Sequence, residues 1–161
     1  MKSMTAEELG GKKDVVTICV DELAMEAFKL LEEKKVSAVA VVKSDGTIVG
    51  EMDSDSVKMI GIQFSMLASP IWTCYELSGE AMRQWNNTTA HESRSDDVAP
   101  LPDNTCSLST SMEDMVKTVV SGHHRRLWVV DDDKKPIGVI SLTDLVNAVI
   151  DRMNTVKVIG D

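Results

Sequence analysis

Five polar residues between positions 125 and 144 have side chains that suit a sugar and a phosphate: Arg125, Arg126, Ser141, Thr143 and Asp144. The guanidinium groups of the two arginines are planar forks of donors that match phosphate oxygens. A carboxylate can accept hydrogen bonds from two vicinal ribose hydroxyls, and short hydroxyl side chains can donate or accept beside it. These residue types therefore predict a site for a nucleotide.

The elements around these residues are predicted to bring them together. Leu127–Val130 reads as a buried strand, 131–135 as a turn, Ile137–Ile140 as the return strand and Thr143–Met153 as a helix. Residues 141, 143 and 144 then surround a helix N-terminus, whose unpaired N–H groups favour negative charge. An alternative remains open, since Asp144 or Thr143 could simply cap this helix. The run His123 to Arg126 could likewise be a solvated turn.

The chain contains two copies of one unit. Gly50 and Gly138 lie 88 residues apart, as do Val42 and Val130, and Thr17 and Thr105. Each copy, at Val15–Ile60 and Thr105–Ile150, reads as strand, helix, strand, tight turn, strand and helix. The sequence therefore predicts two successive α/β units.

The remaining boundaries follow from periodicity and from turn residues. The first copy is predicted as a strand Val15–Val20, a helix capped by Asp21 that runs to Lys34, strands Val36–Val42 and Thr47–Met52, and an apolar helix Ser56–Ala68 buried between the copies or at a partner. Further predictions are a helix Ile71–Trp85, a loop Asn86–Asp103, a strand Thr105–Leu108, and a helix Met112–Ser121 with Met115, Val116 and Val119 turned inward. The expected division is 1–14 as a lead-in, 15–68 as repeat 1, 69–104 as an inter-repeat segment, 105–153 as repeat 2 and 154–161 as a tail.

The two copies resemble a tandem pair of CBS domains, over roughly 90 residues of the chain. Copy two resembles the fourth CBS repeat of the SNF4-like gamma subunits of AMP-activated protein kinase, at Cys106, Leu108, Arg126-Leu127, Val129-Val130-Asp131 and Ser141-Leu142-Thr143-Asp144. Copy one resembles the third repeat, at Val36-Ser37-Ala38-Val39-Ala40-Val41-Val42. The resemblance implies an α/β (α+β) fold of two β-α-β-β-α units, packed as a pseudo-twofold pair.

The resemblance also implies ligand contacts, placed residue by residue. Asp144 would bind the ribose, Ser141 and Thr143 would add hydroxyl contacts, and Arg125 and Arg126, with His124 beside them, would bind phosphate. The family has His where Arg125 stands. The adenine would lie in an apolar slot formed by Thr105, Cys106, Ser107 and Val139 or Ile140, although ordinary strand packing explains those positions equally well.

Copy one departs from this pattern. Ser56 stands where copy two has Asp144, and Ser37-Ala38 replaces the arginine pair. A phosphate there would face Asp53 and Asp55 without an opposing cation. We therefore expect one competent site, unless Asp53 or Asp55 substitutes through a local shift.

The expected function is a regulatory module that binds AMP, ADP or ATP and controls a partner, such as a protein kinase, another enzyme or a second copy of itself. Alternatives are a nucleotide-free dimerisation module and a module for S-adenosylmethionine. Since the kinase subunits have four repeats, this chain would be a fragment or a protein that dimerises to make four. No catalytic motif is recognisable, so neither enzyme activity nor a catalytic cofactor is expected.

Composition limits the location and the partners. The 161 residues have a formal net charge of -9, which argues against general binding to nucleic acid or to an anionic membrane. Three widely spaced cysteines, Cys19, Cys74 and Cys106, predict neither a disulfide framework nor a metal site. No apolar run approaches the length of a membrane span. The sequence therefore predicts a protein of the cytosol or the nucleus.

Overall fold

The computed structural model describes residues 4–57, 64–77 and 101–158. These residues form two compact units. The first unit lies within Val15–Pro102, and the second combines residues of Met1–Asp14 with those of Asp103–Asp161. Each unit contains one three-stranded mixed sheet, so the predicted α/β class is confirmed.

The first unit has the predicted strand and helix order. Its elements are β1 (Thr17–Cys19), α1 (Ala24–Lys34), β2 (Ala38–Val42) and β3 (Ile48–Asp53). Strand β2 is central, parallel to β1 and antiparallel to β3. Gly46 makes the hairpin turn possible because its φ is 88°.

Helix α1 begins later than the sequence predicts, so the assignment of Asp21 as its N-cap was wrong. The N-cap is Leu23, whose side chain makes no capping hydrogen bond. Residues 22–24 are instead held by main-chain bonds from Ala24 N to Ser69 O (3.0 Å) and from Ile71 N to Glu22 O (2.9 Å). These tertiary bonds fix the entry to the helix, where a local cap was expected.

The described parts of the predicted helix Ser56–Ala68 are α-helical only at Val57. Ser54–Ser56 and Phe64–Ala68 are both 3₁₀ turns, and Met59, Ile60 and Ile62 lie outside the described residues. Met66 is buried in the core of the unit, whereas Phe64 is 71% exposed. A short helix α2 follows at Ile71–Leu77; the rest of the predicted helix Ile71–Trp85 and most of the loop Asn86–Asp103 lie outside the described residues.

The second unit repeats the same order. Its elements are β4 (Thr105–Cys106), α3 (Met112–Gly122), β5 (Arg126–Val130), β6 (Pro136–Ser141) and α4 (Leu142–Val158). Met115 and Val119 of α3 are buried as predicted, but Val116 is 37% exposed, so its inward assignment was wrong. Strand β4 is shorter than expected because the chain turns at once, with Thr110 N bonded to Ser107 O.

Short segments outside the two copies complete both units. In the second unit, residues 4–7 pack beside α3 through three main-chain bonds: Met112 N to Met4 O, Ala6 N to Thr110 O and Glu7 N to Leu108 O. In the first unit, residues 69–72 make the corresponding bonds: Ala24 N to Ser69 O, Ile71 N to Glu22 O and Trp72 N to Val20 O. We call residues 4–13 the N-terminal lead-in and residues 69–77 the internal lead-in.

The lead-ins are exchanged between the copies. The N-terminal lead-in precedes copy one in sequence but belongs to the second unit, and the internal lead-in precedes copy two but packs in the first unit. Each of these bonds in the first unit has an equivalent in the second. Equivalent residues of the copies differ by 88 positions, and equivalent residues of the lead-ins differ by 65. The second unit is therefore built from two separate stretches of chain, whereas the first unit is one continuous stretch that includes its lead-in.

Candidate functional site

The junction of β6 and α4 is closed by two reciprocal hydrogen-bonding residues. The Ser141 N–H and hydroxyl both donate to Asp144 Oδ2 at 2.8 Å, and the Asp144 N–H donates to Ser141 Oγ at 3.1 Å. This is the geometry of a capping box, in which two side chains satisfy the open N–H groups at a helix start. The capping interpretation of Asp144 is therefore correct as far as the helix is concerned.

Capping does not use the whole Asp144 carboxylate. Among the described residues, Oδ1 receives no hydrogen bond, and the side chain is 37% exposed. A third group approaches Oδ2, because Lys13 Nζ of the N-terminal lead-in lies 3.5 Å away. Partial burial opposes ionisation, but the bonds from Ser141 and the charge of Lys13 outweigh it, so the pKa of Asp144 lies below its ordinary value. The site therefore presents an ionised carboxylate with an accessible acceptor.

Strand register brings three predicted site residues to one face of the sheet. Arg126 pairs with Ser141 across β5 and β6, and Thr105 of β4 pairs with Trp128 of β5. Side chains alternate along strands, so these residues lie on the face opposite the helix-side core of Leu127, Val129 and Ile140. We call this surface of Thr105, Arg126, Trp128, Val139 and Ser141 the platform.

Two members of the platform are buried, and Thr105, Val139 and Ser141 are partly exposed. Arg126 is 6% exposed and Trp128 is 2% exposed. A guanidinium that is nearly buried keeps its charge and must have polar partners, which gives it a fixed position. The platform thus carries a fixed cation, Arg126, which pairs across the strands with Ser141, the residue hydrogen-bonded to Asp144.

Arg125 and Thr143 lie at the edge of this arrangement, and both side chains are exposed. The main-chain oxygen of Arg125 accepts from Leu142 N at 2.9 Å, so the start of β5 is tied to the start of α4. Both residues are close in the fold to Asp144, the former through this bond and the latter through the same helical turn.

His124 has contacts at the end of α3 and at residue 103. Its imidazole packs against Gly122, and Nε2 lies 3.3 Å from Asp103 Oδ1 without the alignment of a hydrogen bond. His123, in the left-handed region with φ 55°, ends α3 just before it. The contacts of His124 are therefore those of a link between the helix end and residue 103.

Ser107 also has local partners. Its hydroxyl lies 2.9 Å from Ser109 Oγ and 3.1 Å from Thr110 Oγ1, and its N–H donates to Thr110 Oγ1. These bonds form the exposed turn before α3. Cys106 points into the helix-side core, where burial raises the pKa of its thiol to about 11.

Two residues of this region were missed from the sequence. Lys13 gave no signal because it belongs to a polar lead-in with no evident connection to residue 144. Trp128 could have been found from strand alternation, since it is two positions from Arg126 and must share its face.

The matching junction in the first unit uses the same geometry with the residue types exchanged. Asp53 takes the place of Ser141, and Ser56 takes the place of Asp144. Ser56 N donates to Asp53 Oδ1 at 3.0 Å, and Asp53 N donates to Ser56 Oγ at 2.9 Å. The position of Arg126 is filled by Ala38, which is buried.

Two other kinds of feature are absent from residues 4–57, 64–77 and 101–158. No group of three or more histidine, cysteine or carboxylate side chains could hold a metal ion. No helix in this part of the chain is long and apolar enough to span a membrane.

Comparison with known proteins places the repeats in a family. The CBS domain model matches residues 6–51 and 96–151. The AMP-activated protein kinase subunit gamma of Dictyostelium discoideum is 23% identical over 151 residues, which are 92% of this chain but only 24% of that relative. The chain thus spans about a quarter of the length of this curated relative.

Solved structures share the fold. The CBS domain pair of protein MJ0100, in complex with 5'-methylthioadenosine and S-adenosyl-L-methionine, aligns with a TM-score of 0.65 at 14% identity, over 94% of this chain and 99% of that one. The protein CBSX2 in complex with AMP aligns with a TM-score of 0.56 at 21% identity, over 94% of both chains. Proteins with CBS domains are generally regulatory. With both copies matched by the family model and the pair matched in fold, the chain belongs to the CBS domain family and is a tandem CBS module.

Proposed function

We propose that this chain is a regulatory module that binds AMP, ADP or ATP at one site in the second unit and passes its occupancy to a partner. The observation that carries the proposal is the Asp144 carboxylate. It is ionised and partly exposed, with Oδ1 open to donors, and it stands beside a platform that holds the buried Arg126. An anionic acceptor next to a fixed cation is a combination that suits a ribose phosphate.

In this proposal each group of the nucleotide has a partner. Vicinal ribose hydroxyls donate to Asp144, with Ser141 and Thr143 beside them, and the phosphates approach Arg125 and Arg126. The adenine lies along the platform near Thr105. Val139 is the better apolar wall, since Ile140 is fully buried in the helix-side core. His124 and Ser107 remain weaker members of the proposed set, because both already have local partners.

Other adenosyl ligands form the main alternative. One of the two similar structures is a complex with AMP, and the other is a complex with 5'-methylthioadenosine and S-adenosyl-L-methionine. The proposal favours the phosphorylated ligands for this chain because Arg125 and Arg126 offer a phosphate contact that the other two ligands do not need. A module without any ligand is the second alternative.

Regulation requires a partner surface, and the last helix offers one. Five apolar side chains of α4 are between 42% and 61% exposed at helical spacing: Leu142, Val146, Val149, Ile150 and Met153. Such a stripe is typical of a face that packs against another chain. We propose that it contacts a second copy of the chain, a second CBS pair, or a regulated enzyme such as a protein kinase. Ligand binding would then act on that contact by linkage.

Two measurements on the same samples test the two parts of the proposal. Isothermal titration of the full chain with AMP, ADP and ATP is expected to give one site per chain, because Ala38 and Ser56 replace Arg126 and Asp144 in the first unit. Light scattering on the same samples is expected to give a mass above that of a monomer. Two equal sites, or binding of none of the three nucleotides, would contradict the ligand proposal. A monomer at high concentration would contradict self-association.

A further inference from the structure

The N-terminal lead-in places a lysine at the proposed site. Gly11 lies directly against Gly138 of β6, where any side chain at position 138 would meet the Gly11 main-chain oxygen at 1.5 Å. Two residues later, Lys13 N donates to Ile137 O at 3.2 Å. The lead-in is thus fixed to β6 by its main chain, and the Lys13 ammonium is fixed within 3.5 Å of Asp144 Oδ2.

The ion pair between Lys13 and Asp144 is poorly suited to a structural role. The two side chains are 45% and 37% exposed, and pairs this solvated contribute little to folding stability. Asp144 Oδ2 already accepts two hydrogen bonds from Ser141. An ammonium carries three donors, so this contact leaves Lys13 able to donate to another anion.

The charge of Lys13 changes what the site can accept. An isolated carboxylate repels a phosphate that binds next to it and attracts a cation. Lys13 offsets the charge of Asp144 at the proposed site, although the whole chain carries -9. This balance favours an anionic ligand and disfavours a cationic one.

We propose that Lys13 is a specificity-determining residue that selects phosphorylated adenosine ligands over the uncharged 5'-methylthioadenosine and the cationic S-adenosylmethionine. The inference rests on the proposed function, since it concerns the same site. A contrary role can be distinguished. If Lys13 instead occupied Asp144 as an internal competitor, its removal would tighten the binding of every adenosyl ligand.

The test measures the affinities of AMP, ATP, 5'-methylthioadenosine and S-adenosylmethionine for four forms of the full chain: wild type, Lys13→Ala, Lys13→Arg and Lys12→Ala. Lys13→Ala is expected to weaken AMP and ATP by about fivefold or more, since a partly solvated charge contact is lost. It should leave 5'-methylthioadenosine within about twofold of wild type and tighten S-adenosylmethionine. Lys13→Arg should restore the wild-type order. Lys12→Ala, at the exposed neighbouring position, should change none of the four.

The outcomes separate this inference from the proposed function. If wild type binds AMP, and Lys13→Ala changes all four ligands in the same direction and by the same factor, Lys13 is structural or competitive and the inference is wrong. If wild type binds none of the four, the proposed function fails first and the inference falls with it. Thermal unfolding of each variant shows whether a loss of binding reflects a loss of folding.

Discussion

The two strand-to-helix junctions of this protein have the same backbone hydrogen bonds and opposite side chains. In the first unit the carboxylate of Asp53 is at the N-cap and the hydroxyl of Ser56 is three residues later. In the second unit the hydroxyl of Ser141 is at the helix start and the carboxylate of Asp144 is three residues later. Either order satisfies the helix start, so capping alone does not explain the arrangement. Only the second order puts the carboxylate within the first helical turn, beside Lys13.

The two lead-ins place different groups against the equivalent glycines of β3 and β6. In the second unit Gly138 faces the main chain of Gly11, whereas in the first unit Gly50 faces the hydroxyl of Tyr75, which donates to Glu51 O at 2.8 Å. Burial, followed by the charge of Glu51, raises the pKa of Tyr75, so the phenol remains a neutral donor. The same glycine position therefore admits a backbone in one unit and a side chain in the other.

The largest expected effect comes from adding one methyl group at each of these glycines. Gly138→Ala should destabilise the chain by roughly 3 kcal/mol, because the new Cβ would lie 1.5 Å from a main-chain oxygen that cannot move alone. Gly50→Ala should cost about 1–2 kcal/mol, because the nearest atom, at 2.6 Å, is the end of a side chain. Denaturant unfolding measures both. Equal losses of stability would contradict this prediction, because they would show that both lead-ins move equally easily to accept the methyl group.

The next effect separates ligand binding from capping. Asp144→Ala should weaken nucleotide binding by more than about 1.5 kcal/mol, since a charge-assisted bond is lost. Asp144→Asn should also weaken binding while keeping the melting temperature near wild type, because an amide oxygen can still accept from Ser141.

Ser56→Ala is the matched control for Asp144→Ala, since each variant removes the side chain at the N3 position of a capping box. It should lower stability by about 1 kcal/mol and leave affinity unchanged. Calorimetry and thermal melts on the three variants decide the matter. An Asn variant with normal affinity would remove Asp144 from the proposed site.

The smallest effect is a pH dependence of stability at the second junction. A carboxylate with a lowered folded pKa contributes stability that is fully present above its unfolded value of 3.8 and is lost as the pH falls through the folded value. The contribution should be under about 1 kcal/mol, because the carboxylate is partly solvated. The difference in unfolding free energy between wild type and Asp144→Asn should therefore shrink on acidification from pH ~6 to pH ~2.5. Asp132→Asn, at an exposed turn, is the control, and a difference that grew in acid would contradict the assignment.

The sequence predicted most of the local structure and the members of the site that lie on it. Strands and hairpins were found because β-branched runs and Gly46 act over a few residues. The start of α1 and the end of β4 were misplaced because bonds to Ser69 and a turn at Ser107 override local propensity. The assignments at Ser141, Asp144 and Arg126 came from spacing and from family resemblance, and they remain proposals as ligand contacts.

The sequence by itself determined the two copies, their α/β elements and the position of the polar cluster, since these depend on short-range periodicity and on an exact repeat. Tertiary structure decided which lead-in completes which unit, which sheet face holds Arg126, and which cation stands beside Asp144. Lys13 and Asp144 are far apart in the chain, and no local pattern couples them. They meet only because Gly11 and Gly138 let two stretches of backbone pack in contact.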